Sequence, residues 1–151
     1  MTRVRTDHGS FEGPDGWTHM ESFGVAECAP EELLHPKGPR ASIVLTGDAR
    51  PAGQSATVYV TAQLAALARM LPEWRSIDGD VSDAEPGPAV VRHGFHAPED
   101  GWMVQFQAYW FFGERVSILT MSAPAAAITP AWEAFSRALA SFEAPSPPAT
   151  A

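Results

Sequence analysis

The sequence predicts an α+β fold, a mainly antiparallel sheet with helices on its faces, and three observations lead there. Short apolar runs rich in β-branched and aromatic residues recur along the chain, bounded by Gly, Pro and Asp. Only two segments carry the 3.6-residue apolar repeat of a helix. Their order is strands, a helix, four strands and a helix, which puts hairpin-linked strands in one sheet and helices on its faces.

Gly13-Pro14-Asp15-Gly16 is a turn signal. Ser10 to Glu12 before it reads as a short strand, and Trp17 to Glu27 after it as a longer one with Phe23 and Val25 on one face. The register there is open by one residue, which would put Ser22 and Gly24 on that face instead. Pro30 to Pro39 holds three prolines and reads as a loop; Ala41 to Thr46 is an apolar, β-branched strand. The first helix spans Gln54 to Leu71, with Ser55 as N-cap, Val58, Leu64, Leu67 and Leu71 at helical spacing, and Pro72 as its stop. Four strands follow: Glu73 to Val81, Pro88 to Phe95, Trp102 to Phe112 and Arg115 to Ser122. Gly113-Glu114 joins the last two, and glycine first in a two-residue loop suits a type II′ hairpin. Thr129-Pro130 opens the second helix, Thr as N-cap and Pro at the first helical position, with Trp132, Phe135, Leu139 and Phe142 as its stripe. A chain of 151 residues has the size of one domain, 1–142, and Glu143 to Ala151 (EAPSPPATA) reads as a flexible proline-rich tail.

Composition excludes several functions. Ten basic against eighteen acidic residues give a net charge of −8, which disfavours nucleic acid and anionic membranes. The single cysteine, Cys28, allows no internal disulfide. The first residues lack an apolar leader core, and no run reaches the roughly 18 apolar residues of a membrane span, so a cytoplasmic protein without a membrane anchor is expected.

No pattern of catalysis stands out. Ser10, Ser42, Ser55, Ser76 and Ser122 lack a nucleophile-elbow context, Cys28 has no evident histidine partner, and no glycine-rich phosphate loop occurs. His93, His96, Glu99 and Asp100 superficially resemble a metal cluster, but no known ligand spacing fixes them. No enzyme activity, metal or other cofactor is expected. Along Trp102 to Phe112, one face carries Val104, Phe106, Ala108, Trp110 and Phe112. The other carries Met103, Gln105, Gln107, Tyr109 and Phe111, half-apolar and without a charge, as a covered or used surface would be.

Taken together, Gly9-x-Phe11, Pro14 and Trp17, the Ser-Ile-Val-Leu-Thr strand, Tyr59-Val60-x-x-Gln63-Leu64 ending in Leu71-Pro72, Gly87-Pro88-Ala89, Val104-Gln-Phe-Gln107, Leu119-Thr120-x-Ser122-Ala123 and Ser141-Phe142 carry a resemblance over nearly the whole chain. The chain resembles the DcrB-like (DUF1795) family of the Mog1/PsbP-type fold, and within it the Eag chaperones of type VI secretion effectors. The resemblance implies an α/β/α sandwich. It also implies a cytoplasmic homodimer that shields the hydrophobic N-terminal transmembrane segments of an effector and helps load it on the VgrG spike. A different binding module on the same fold, without a secretion role, is the alternative.

A transmembrane helix outside a membrane needs its apolar side chains covered and its few polar groups partnered. Glutamine supplies both donor and acceptor. By analogy with the Eag chaperones, Gln63 and Gln105 match groove glutamines and Phe23 and Val25 match the apolar strand after the motif tryptophan, with Val44, Leu67 and Leu71 completing the floor. On residue type alone the same apolar residues are core and the glutamines solvated.

Overall fold

The computed structural model describes residues 2–22, 25–30, 41–80 and 83–146. In chain order the elements are β1 (Thr2–Thr6), β2 (Gly9–Gly13), β3 (Trp17–Ser22), β4 (Val25–Pro30), β5 (Ser42–Ala49), α1 (Ala56–Met70), β6 (Arg75–Asp80), β7 (Ala89–Ala97), β8 (Gly101–Phe112), β9 (Arg115–Pro124) and α2 (Ile128–Ser141). Strands β3 to β9 form one antiparallel sheet in the spatial order β3-β4-β5-β9-β8-β7-β6, and β1 pairs with β2 in a separate hairpin. The fold is thus α+β, with α1 on one face of the sheet and α2 and the β1–β2 hairpin on the other.

The hairpin β8–β9 fixes the register of the centre. Gly113 has φ 63, while Glu114 stays outside the left-handed region, as a type II′ turn requires. The pairs then run from Phe112↔Arg115 to Met103↔Pro124 without a slip. Because side chains alternate along a strand, Val104, Phe106, Ala108 and Trp110 all enter the α2 side. There they meet Ile43, Leu45, Leu119 and Met121 from neighbouring strands and Phe135 and Ala138 from α2. Phe106 and Phe135 are fully buried with ring centroids 5.7 Å apart. The hairpin adds Val4 and Phe11. It approaches so closely that a Cβ on Gly13 would sit 2.8 Å from the Cys28 sulfur and 2.5 Å from the His19 ring, so only glycine fits.

On the other face α1 forms a smaller cluster. Ala56, Tyr59 and Val60 pack on Ala89, Val91, Tyr109, Phe111 and Val116, with Leu64 and Ile118 at its edge. Ser55 caps the helix by accepting from the Val58 amide.

The structure corrects three expectations and adds a strand, β1. The single strand expected over Trp17 to Glu27 is two, β3 and β4, which fold back on each other with Ser22 opposite Val25. The second helix is not capped by Thr129. A 3-10 turn over Ala125–Ala127 runs straight into α2, the N-cap position is Ala127, and Thr129 lies inside the first turn. The polar, charged stretch Thr2–Thr6 is a strand because the neighbouring β2 supplies its hydrogen bonds, with Val4 its one buried side chain. Glu143, the first residue of the expected tail, is packed: its amide and carbonyl both bond Ser10, at 2.9 and 3.0 Å. The loop expected over Pro30 to Pro39 lies almost wholly outside the described residues, and so does the end of the tail.

Candidate functional site

The α1 side of the sheet has two unlike halves. The cluster under α1 draws on β7, β8 and β9 and on no residue of β3, β4 or β5. Over those three strands, and on β7 to β9 beside that cluster, the same face carries other side chains, which the register identifies. Val44 of β5 lies opposite Glu27 of β4 and Thr120 of β9, and Thr120 lies opposite Gln107 of β8. One pleat on, Ser42, Ser122, Gln105 and His93 form the next line across the sheet. Partners in an antiparallel pair share a face, so Val25, two residues before Glu27, is on it too, as is Met20 of β3 opposite Glu27. Val25 is 37% exposed and Met20 41%, both high for apolar side chains on a sheet face.

The expected site residues are therefore placed as follows. Val25, Val44 and Gln105 share this face through the register. Gln63 and Leu67 are half-buried along α1, and Leu71 is half-buried at its end, where its amide bonds the Leu67 carbonyl at 2.8 Å. Pro72, next in the chain, accepts from the His96 amide and so ties the end of α1 to β7. Phe23 lies outside the described residues.

Two hydrogen-bonded rows cross the face. In the first, His93 Nε2 lies 2.6 Å from Gln105 Oε1, and Gln105 Nε2 donates to Ser122 Oγ at 3.1 Å. In the second, the Tyr109 hydroxyl donates to Gln107 Oε1 at 2.7 Å, and Gln107 Nε2 donates to Thr120 Oγ1 at 3.3 Å. Gln105 and Gln107 are thus held by neighbours instead of solvated. His93 has no exposed surface, and burial lowers the pKa of its imidazole against a smaller opposite effect of the Gln105 bond. Burial raises the Tyr109 hydroxyl; for Tyr59 burial and its bond to Asp48 act in the same direction. Both phenols are therefore donors here. Sequence reasoning missed His93, Thr120 and Ser122 as members of this surface, although counting back from the two-residue turn at Gly113 puts Ser122 opposite Gln105 and Thr120 opposite Gln107.

His93 and His96, three apart on β7, point to opposite faces; His96 stacks edge-on against Trp102, 5.2 Å away. Among the described residues no three His, Cys, Asp or Glu side chains are grouped to hold a metal. No described helix is long and apolar enough to cross a membrane. A cleft of about 210 Å³ lies on the α2 side between Trp17, Pro130 and Arg137 and includes none of the expected site residues.

No family model and no curated protein matches the chain. Solved structures do. PA94 from Pseudomonas aeruginosa, a protein of unknown function, is similar at 22% identity and a TM-score of 0.56, over 99% of each chain. LpqN, involved in cell envelope biogenesis of Mycobacterium tuberculosis, is similar at 14% identity and 0.61, over 90% of this chain and 82% of that one. Cyanobacterial PsbP (CyanoP) from Synechocystis sp. PCC 6803 is similar at 12% identity and 0.59, over 95% and 94%. With the seven-stranded antiparallel sheet between α1 and α2, these likenesses establish a fold of the Mog1/PsbP type.

Proposed function

We infer that the chain is a binding protein without catalytic activity, an intracellular chaperone that shields a hydrophobic, transmembrane-type segment of a partner on the part of the sheet that α1 leaves open. The observation that carries this reading is the composition of that surface: exposed Val25 and Met20 and half-buried Val44, with the half-buried carboxylate of Glu27 between Met20 and Val44, next to ordered rows of glutamine and hydroxyl groups. An apolar segment needs such a mixture, mostly apolar contact with a few fixed donors and acceptors. The sequence resemblance to Eag chaperones makes the client the N-terminal hydrophobic segment of a type VI secretion effector, delivered to VgrG. A single small domain offers one sheet and one helix as walls, so a C2 homodimer completes the enclosure. The net charge of −8 keeps a protein with an apolar face soluble.

One observation favours a second reading, a binding module with another partner: LpqN, described for cell envelope biogenesis, has the same fold.

Co-expression with an effector encoded beside this gene tests the first reading. The Val25→Asp and Gln63→Ala variants should stay folded, since neither side chain is fully buried, yet recover about tenfold less soluble effector than the parent chain, since a buried unpaired charge or a lost amide weakens the contact. Light scattering of the parent complex should give two copies of the chain per effector. Undiminished co-purification with either variant would contradict the groove.

A further inference from the structure

The two polar rows have a direction. A carboxamide oxygen only accepts and its nitrogen only donates. Gln105 gives its amide hydrogen to Ser122, so its oxygen faces His93, and His93 Nε2 carries the proton. Gln107 likewise accepts from Tyr109 and donates to Thr120. Both rows run the same way and end on hydroxyl oxygens of β9. Each hydroxyl oxygen accepts one amide hydrogen and keeps its own O–H to give. Among the described residues neither is seen to donate a side-chain hydrogen bond. Both are half-buried, with Val44 and Ser42 of β5 opposite them.

His93 holds the first row in this sense. Turning the Gln105 amide over would make Nε2 the acceptor and move the proton to Nδ1. That atom is buried without a partner, as is the indole Nε1 of Trp74, whose ring centre is 5.8 Å from the imidazole. With Nδ1 bare, one buried group is an acceptor and the other a donor. With Nδ1 protonated, two buried donors would repel each other, where a donor and an acceptor attract.

Resting on the chaperone reading above, we propose that Ser122 and Thr120 are the specificity-determining donors of the open face, with His93 as the positioning residue. The occupant they select is an apolar helical segment that presents free backbone carbonyl oxygens within its length, where glycine or proline breaks it. An unbroken helix satisfies all its carbonyls except the last four, and a helix start offers N–H groups instead. Against an unbroken stretch the two O–H groups would lose water and find no acceptor. A segment with free carbonyls meets donors already held in place, with apolar Val44 beside Thr120.

The test uses two labelled apolar peptides of about twenty residues, the length of a membrane span. One is a continuous helix and the other has a central Gly-Pro break. Fluorescence anisotropy should show the parent protein binding the broken peptide about tenfold more tightly, a difference of about 1.4 kcal/mol. The double variant Ser122→Ala, Thr120→Val keeps the shape of both side chains. It should bind the continuous peptide as before and lose the preference. Nitrogen-resolved NMR of the parent should show His93 protonated at Nε2. Equal binding of both peptides by the parent, a preference that survives in the double variant, or a proton on Nδ1 would each overturn the donors while leaving the groove intact. Failure of the parent to bind either peptide would overturn groove and donors together.

Discussion

His93 and Cys28 are ionisable groups shut away from water, and each shapes the pH dependence of stability in a definite direction. Burial lowers the His93 pKa below its ordinary 6.5. From about that pH downward the unfolded chain takes up a proton that the folded chain refuses, so stability is full above it and falls as pH drops through the lowered folded value. Burial, with a smaller push from Glu27, raises the Cys28 thiol from 9.0 to about 12. The unfolded thiol ionises first, so stability is full below 9.0 and falls as pH rises from there toward about 12. Urea unfolding across this range should give a plateau that falls at both ends, and Cys28→Ala should flatten the alkaline limb where it begins, above 9.0, since the buried phenols of Tyr59 and Tyr109 add to it only above their ordinary 10.0. An alkaline limb unchanged in that variant would show that Cys28 ionises freely in the folded chain. At this scale the sequence was least informative. Gln63 and Gln105 were legible as polar residues on half-apolar elements, but the groups that hold Gln105, His93 and Ser122, come from two other strands and appear only once the sheet is assembled.

Helix α1 divides the face, because its cluster with β7, β8 and β9 ends where the open part begins. Its start is secured twice: Ser55 Oγ accepts from the Val58 amide at 3.1 Å, and Asp83 Oδ1 from the Thr57 amide at 3.0 Å. Both satisfy amides that the helix itself cannot. Ser55→Ala should cost about 1 kcal/mol, read as a lower urea midpoint at unchanged slope. No loss of stability would mean that Asp83 and solvent suffice. This helix, its cap and the β8–β9 hairpin were legible in advance because their signals are local: a 3.6-residue repeat, a serine before it, a glycine in a two-residue turn. What escaped depends on neighbours. Strand β1 has no apolar pattern of its own and exists because β2 pairs with it. The break between β3 and β4 carries no strong turn residue beyond Gly24, and Thr129 lost its expected role because a preceding 3-10 turn continues into α2.

For the whole molecule, one face of the sheet is spent on stability and half of the other is not. The α2 side buries Phe106, Phe135, Leu119 and Met121 completely, and both the β1–β2 hairpin and Glu143 close over it. The α1 side covers Tyr109 and Phe111 but leaves Val25 and Met20 to solvent. The fold class could be read from element order alone, since an antiparallel sheet with one helix per face is the simplest burial for that sequence of elements. The open half could not, because it depends on where α1 crosses the sheet. Backbone amide shifts of the labelled protein, followed as an apolar helical peptide is added, show whether the open half binds. Changes should concentrate on Val25, Val44, Gln105, Thr120 and Ser122 and on the Gln63–Leu67 side of α1, with α2 and the β1–β2 hairpin unmoved. Changes confined to α2 and that hairpin, or none at saturating peptide, would contradict binding there.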